Sequence, residues 1–202
     1  MRFKVFIKNY TALTIGGGAE GRTDISLNDL IIPPSSIKGS MRTAINKFLP
    51  QNYTSCGKIR PEEITEKHKE LGKPCDVCLL FGYPKSRDIG CFTINIVTDL
   101  EKLDKVSFTR VAIDDKTQKA VEGGLFSQEA ISPESEVVIE VNFRDSCRER
   151  MLKLLLYSLS ALRLWRLGRN AMIDLKIENI CEKYKCDEEM KKIVTNLENY
   201  LW

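Results

Sequence analysis

The stretch SCRERMLKLLLYSLSALRLWRL, at residues 146–167, carries the strongest helix signal in the chain. Apolar residues recur along it at the three- and four-residue spacing of one helix face. The stripe consists of Leu152, Leu155, Leu156, Leu159 and Leu162, widened by Leu154, Trp165 and Leu167. So wide an apolar face predicts a largely buried helix, and Gly168 directly after it predicts where the helix ends.

The segments around this helix predict a mixed α+β fold. Residues 2–9 alternate, with Phe3, Val5 and Ile7 on one face, as in a half-buried strand. The other predicted elements are a helix capped by Ser35 or Ser36 and running to about Phe48, strands at 91–97, 136–143 and 171–177, a long hairpin at 105–131, and a terminal helix at 188–202. With the insertions removed, the order is β-α-β-β-α-β, which is the ferredoxin-like plan.

Length and composition limit the class of protein. The 202 residues carry 31 Lys and Arg against 28 Asp and Glu, a net charge of +3, and 43% are hydrophobic. Such a chain can bury a core, so global disorder is excluded, and its length suits one domain at 1–202. The small charge does not by itself indicate nucleic acid. No uncharged apolar run reaches the roughly 18–20 residues that a spanning helix needs, and the start MRFKVFIKNY lacks the apolar centre of a signal peptide. We therefore expect a cytoplasmic protein without membrane association.

Seven cysteines and a single histidine are the unusual feature of the composition. An odd count without a secretion signal argues against a disulfide framework and for metal or buried thiols. Cys75 and Cys78 form a Cys-x2-Cys pair close behind His68, and Cys56 precedes that histidine, all within a polar segment at 51–90. Three thiolates and one imidazole can close a tetrahedral zinc site, so the segment is predicted to be an inserted zinc-binding lid.

Two alternatives to this zinc site remain open. The cysteine pair could be redox-active or merely buried, with His68 a solvated residue, or Cys91 could replace Cys56 or His68 as a ligand. The cysteines outside the predicted site are expected to be isolated, buried thiols: Cys91, Cys147, Cys181 and Cys186.

A glycine-rich loop follows the first strand. Gly16, Gly18 and Gly21 match the G-x-G-x-x-G spacing, but no helix begins after them, which argues against a dinucleotide site. A loop whose backbone approaches a phosphate chain is the better interpretation. Gly17, Gly18 and Arg22 are therefore candidate RNA contacts.

Two further groups of residues suit a sugar-phosphate backbone. At the start of the first helix, Ser35 and Ser36 offer an anion site, and Lys38 and Arg42 share a face above it. The alternative there is an ordinary capped helix with solvated basic residues. A second basic group surrounds Gly168 and consists of Arg163, Arg166, Arg169 and Asn170. That group is either a rim for RNA or the polar edge of a buried helix.

Three motifs in this order resemble the RAMP superfamily. They are IIPPSSIKGSMR at 31–42, CDVCLLFG at 75–82 and TRVAIDDKTQKAVEGGLFSQEAI at 109–131. Among members of the family, the chain looks most like the backbone subunits of type III CRISPR effector complexes. Three features depart from the family's pattern. Pro34 stands where a glycine is usual, and Thr14 stands where some members have a histidine. The family's C-terminal glycine-rich loop appears here as LWRLGRNAMIDL at 164–175, which keeps Gly168 and Arg169 but little of the glycine run.

The resemblance implies an RRM-like fold and a filament of copies of the subunit, together with other subunits, along a CRISPR guide RNA. It implies that Lys38 and Arg42 hold guide phosphates and that the hairpin is a thumb, with Thr109 and Arg110 as RNA contacts. It also implies that Asp24 cuts the complementary target RNA with a divalent ion, Mg²⁺ or Mn²⁺. From the residues alone, Asp24 and its neighbour Asp29 read as ordinary turn formers.

Two rival functions are kept beside this one. The first is a structural or end-cap subunit of the same complex, which binds RNA and cuts nothing. The second is a guide-processing endonuclease that acts alone. Such enzymes usually need a general-base histidine, and the single candidate, His68, is assigned to the zinc cluster.

Overall fold

The computed structural model describes residues 1–17, 24–86, 89–182 and 184–202. Within these ranges the chain forms seven strands and five α-helices, numbered here in chain order. The strands are β1 (Arg2–Asn9), β2 (Phe92–Ile96), β3 (Lys105–Ile113), β4 (Ala120–Ile131), β5 (Glu136–Phe143), β6 (Arg166–Leu167) and β7 (Ala171–Ile177). The helices are α1 (Pro34–Lys47), α2 (Pro61–Glu70), α3 (Asp76–Phe81), α4 (Glu149–Arg163) and α5 (Glu188–Leu197). The predicted α+β class is confirmed.

Five of the strands form one antiparallel sheet in the order β2-β5-β1-β7-β6. In its centre, Val5 of β1 lies opposite Ile139 of β5 and Ile177 of β7. Phe3, Val5 and Ile7 are buried, as their alternation predicts. Helices α1 and α4 pack on each other, and both contact the sheet. Since a fully buried aliphatic side chain is worth about 1.5–3 kcal/mol, this layer of helices on a sheet supplies most of the core.

The strongest predicted helix is shorter than its pattern suggests. α4 ends at Arg163, and the chain turns through Leu164 and Trp165 into β6, which pairs with β7. Gly168, with φ of 58°, follows in the next turn, where a Cβ would lie 2.3 Å from the carbonyl oxygen of Thr14. Pairing with β7 and this close approach draw residues 164–167 out of the helix, so Trp165 is half-buried instead of part of the core stripe.

Two other helix limits differ from the predictions. Pro33 is the N-cap of α1 and makes no side-chain capping bond, so Ser35 and Ser36 lie in the first turn and do not cap it. The fixed φ of Pro34 already suits the first helical position, which removes the need for a serine cap. At the other end of the chain, α5 stops at Leu197.

Two insertions interrupt the sheet. The segment between α1 and β2 contains both α2 and α3. The segment between β2 and β5 contains β3 and β4, which form a separate, mostly exposed two-stranded sheet, and isolated bridges join β4 to Leu13 and Ile25. Leaving out that hairpin and the short β6, the chain order is β1-α1-β2-β5-α4-β7.

The expectation of four isolated thiols is wrong. Cys91 forms a disulfide with Cys147, and Cys181 forms one with Cys186. The first bond joins Cys91, directly before β2, to Cys147, just before α4. These two cysteines are 56 positions apart in the chain. A pairing of this kind depends on which side chains the fold brings together, and cysteine spacing does not reveal it.

Candidate metal centre and nucleic-acid interface

Four predicted metal ligands meet in the insertion between α1 and β2. Cys56 lies in the loop after α1, His68 on α2, Cys75 just before α3 and Cys78 in its first turn. One ligand atom from each lies within 4.8 Å of all the others. Cys91 is not a ligand, because its sulfur is bonded to Cys147. The structure therefore assembles the ligand set expected from the sequence.

The donor atoms of this cluster fit a zinc ion. Among the described residues, His68 Nε2 is buried and has no hydrogen-bond partner, and the ring packs edge-on against Tyr83 with centroids 5.1 Å apart. A buried, unpaired ring nitrogen is costly unless something binds it. Three sulfurs and one nitrogen at this spacing match a closed tetrahedral Zn²⁺ site of the structural type.

Hydrogen bonding within the cluster shifts the pKa values of Cys75 and Cys78 in opposite directions. The pKa of Cys75 is lowered to about 4, chiefly because the Cys78 thiol hydrogen-bonds to it. The same bond, together with burial, raises the pKa of Cys78. Arg42 donates from Nη2 to Cys78 Sγ at 3.0 Å and from Nη1 to the carbonyl of Gly82 at 3.2 Å. A guanidinium at this position offsets the negative charge of a three-thiolate site.

Lys38 and Arg42, expected to hold guide phosphates, both point into the protein. Lys38 Nζ donates to the carbonyl of Phe92 at 3.1 Å and lies 4.6 Å from the centre of its ring. Burial lowers the pKa of Lys38, and repulsion from Arg144 and Arg42 adds to the effect. These contacts assign both cations to the junction between α1 and the insertion.

The prediction that Arg163 belongs to a basic rim for RNA is wrong. It is 7% exposed, and its Nε donates to Asp174 Oδ1 at 2.7 Å. It also donates to the carbonyl oxygens of Asn196 and Asn199. Its guanidinium thus joins α4, β7 and the C-terminal segment, and it cannot form part of a surface rim.

The remaining residues of the basic group line two neighbouring cavities. Ser36, Arg166 and Asn170 line one of about 380 Å³ between α1 and the turn after α4. Arg110, Arg169 and Asn170 line another of about 410 Å³ beside the hairpin. Asn170 belongs to both, so the cavities adjoin. We name the surface formed by Arg110, Arg166, Arg169 and Asn170 the arginine groove.

The loop after β1 closes one side of this groove. The carbonyl of Thr14 accepts from the N–H of Arg169 at 2.8 Å, and its hydroxyl is buried against Gln128 and Glu129 of β4. Gly17 is exposed, and its N–H donates to the carbonyl of Ser26. Thr109 and Ser35 are exposed and line neither cavity. Gly18 and Arg22 lie outside the described residues.

Asp24 lies where its loop meets the hairpin. The N–H and hydroxyl of Ser127 donate to Asp24 Oδ2 at 2.8 and 3.1 Å. These two bonds lower the pKa of the exposed carboxyl, which is therefore ionised at neutral pH. Ile25 extends the contact through main-chain bonds to Ser127 and Glu129. The sequence contains no local signal for Ser127 as the partner of Asp24, because 103 positions separate them.

Comparison with known proteins supports the family resemblance. The family model of the RAMP superfamily matches residues 7–172. A search of curated proteins found no significant match. None of the described helices is long and apolar enough to cross a bilayer. Proteins of this family bind CRISPR RNA within effector complexes. The matched segment covers most of the chain and includes both the metal cluster and the arginine groove, and the chain therefore belongs to the RAMP superfamily.

Proposed function

We propose that this protein is a guide-RNA-binding backbone subunit of a type III CRISPR effector complex. The observation that carries the proposal is the arginine groove, which runs from the hairpin to the first turn of α1. Arg110, Arg166 and Arg169 are exposed along it. The described residues that line its two cavities include no carboxylate. A polyanionic backbone would therefore meet cations and amide groups without opposing charge.

The topology supports an RRM-like core for this subunit. In the order β1-α1-β2-β5-α4-β7, the second and fourth core strands, β2 and β7, lie on opposite sides of the β5-β1 pair. This is the arrangement of a ferredoxin-like β-α-β-β-α-β unit. The hairpin and the metal-binding segment are then insertions into that unit, in the roles of thumb and lid.

Replacing Arg166 and Arg169 with alanine together is expected to weaken binding of single-stranded guide RNA. Because each lost phosphate contact lowers the salt slope of single-strand binding by about 0.7, the slope should fall by about 1.4. Fluorescence anisotropy at several salt concentrations measures both effects. The control removes two charges from α5 (Lys191→Ala with Lys192→Ala) and should leave the slope unchanged. Equal slopes for the wild type and the arginine variant would contradict the proposal.

We further propose that Asp24 takes part in cleavage of the target RNA. Its ionised carboxylate would accept the proton of a target 2′-hydroxyl as that oxygen attacks the adjacent phosphorus, and the bonds to Ser127, which lower its pKa, make it a weaker base than a free carboxylate. The bond from phosphorus to the 5′-oxygen breaks, and that oxygen takes a proton from water, so that the products are a 2′,3′-cyclic phosphate and a 5′-hydroxyl group. The proton held by Asp24 then returns to solvent. A Mg²⁺ or Mn²⁺ ion would neutralise charge on the phosphate. Mg²⁺ often binds through one or two carboxylates together with the substrate's own phosphates. A single carboxylate, that of Asp24, could therefore hold the ion.

One observation favours the non-catalytic subunit as a second candidate. Asp24 Oδ2 already binds Ser127, which is the pattern of an aspartate that fixes a loop to a hairpin. In that case the carboxylate would position the thumb, and cleavage would not depend on its charge.

The variant Asp24→Asn separates these two functions. It keeps an oxygen that can accept from Ser127 and loses the charge. We expect target cleavage by the reconstituted complex to fall at least about 100-fold, as for loss of a general base, while guide binding stays unchanged. Labelled target RNA resolved on a gel measures the rate. Ser127→Ala is the matched control, since it removes both hydrogen bonds of the hydroxyl with Asp24 and leaves the carboxylate. Undiminished cleavage by Asp24→Asn would refute the catalytic role of Asp24.

A further inference from the structure

Trp165 forms one wall of the cavity between α1 and the turn after α4. The residue is half-buried, and its ring packs edge-on against Phe48, with centroids 6.4 Å apart and planes at 73°. The ring also borders the cavity of about 380 Å³ that forms one end of the arginine groove. A phosphate does not require an aromatic side chain. An indole at this place therefore suits a different part of a bound ligand.

The opposite wall comes from the outer face of α1. Ser36, Ser40 and Thr43 line the cavity there, together with Gly39. A Cβ added to Gly39 would meet nothing within 4 Å, so the helix surface at this position is open. The cavity therefore lies between an aromatic ring and a row of small and hydroxyl-bearing residues. Its volume is at the lower end of the range for small-molecule sites and is large enough for a single nucleotide.

The mouth of this cavity carries the groups that would hold a sugar and a phosphate. Arg166, next in sequence to Trp165, and Asn170 line the same cavity, and both are exposed. No carboxylate lines it among the residues that the structure describes. An aromatic face, a neighbouring guanidinium and hydroxyl groups together match the way in which proteins take up unstacked bases of single-stranded RNA.

We propose that this cavity receives one unpaired nucleobase of the bound RNA, stacked on Trp165, with the adjoining phosphate at Arg166. The inference rests on the proposed function and adds a base-binding subsite to it. Stacking tolerates any base, because every base has a π-face. The subsite therefore secures the position of the RNA without selecting its sequence, as a guide of variable sequence requires.

The chain offers a direct optical test, since it contains only two tryptophans. In the variant Trp202→Phe, all tryptophan emission comes from Trp165. Trp202 is 74% exposed and lies outside the arginine groove, so RNA binding should persist. Titration with single-stranded RNA is expected to quench the emission, with the same midpoint as anisotropy. The reverse variant, in which Trp165 is replaced by phenylalanine and Trp202 is kept, should show little quenching.

Affinity provides the second measurement. Trp165→Leu keeps an apolar side chain and removes the aromatic face, and we expect RNA binding to weaken about 5- to 100-fold. Trp165→Phe should retain most of the affinity. The salt slope should stay at the wild-type value for both variants, because stacking releases no counterions. Thermal unfolding of each variant shows whether the fold is kept.

The outcomes distinguish this inference from the proposed function. If the wild type binds no RNA, the proposed function fails. If RNA binds to Trp202→Phe without quenching Trp165, or binds Trp165→Leu as tightly as wild type, the stacking subsite alone is refuted. Quenching by a neighbouring protein subunit but not by RNA would assign the cavity to a protein contact and would equally refute the subsite.

Discussion

Replacing Cys75 with serine is expected to abolish zinc binding and to unfold the part of the insertion that contains α2. Within the insertion, α3 buries Val77, Leu80 and Phe81 in the core, whereas Ile64 is the one buried residue of α2. Structural zinc sites supply about 10–16 kcal/mol in small domains, far more than α2 can gain from apolar burial. We therefore expect a large loss of stability, with unfolding confined at first to the insertion.

Elemental analysis and protease sensitivity measure this effect. Wild-type protein purified without chelator should contain roughly one zinc per chain, and Cys75→Ser less than a tenth of that. Cleavage within the insertion should become rapid in the variant. The control is Cys181→Ser with Cys186→Ser, which removes two cysteines outside the cluster and should leave the zinc content unchanged. A wild-type protein with almost no zinc would refute the site.

Breaking the buried pair of Arg163 and Asp174 is expected to cost about 3–5 kcal/mol of the free energy of unfolding, because the partner is left as an unpaired buried charge. Asp174 is fully buried and also accepts from the N–H groups of Leu175 and Trp202. Arg163 in turn donates to the carbonyl of Asn196 in the last turn of α5 and to that of Asn199 after it. Asp174→Ala should therefore loosen the C-terminal segment as well as lower global stability.

Urea denaturation followed by circular dichroism measures this loss. The matched control is Glu188→Ala, which removes an exposed ion pair with Lys191. Exposed pairs contribute at most about 1 kcal/mol, so the control should remain close to wild type. A loss below about 1 kcal/mol for Asp174→Ala would show that the buried pair does not stabilise the fold.

Parts of the fold with a local periodic signal could be predicted well. The alternation of β1 and the leucine stripe of α4 both identify buried faces correctly, because burial along a strand or helix repeats with the backbone. The limits of these elements were less predictable. α4 ends early because β6 pairs with β7, a long-range contact that helical periodicity does not include.

Within the candidate sites too, some features could be predicted from the sequence and others could not. The four ligands of the metal cluster could be named from residue type and spacing, since few side chains suit zinc. The direction of each basic residue could not. On α1, Lys38 and Arg42 turn toward the insertion, while Ser36 and Thr43 face the arginine groove.

The sequence by itself determined the residue types that chemistry requires: the zinc donors, the apolar faces and the family motifs. The tertiary structure alone decided which groups meet. It buried Arg163 against Asp174, paired Cys91 with Cys147, brought Asp24 to Ser127 and placed Trp165 on the same cavity as Ser36 of α1. The physical reason is the separation along the chain between the residues that interact. Periodicity and spacing report interactions within a few residues of the chain, whereas these contacts depend on segments that only the folded sheet and helices bring together.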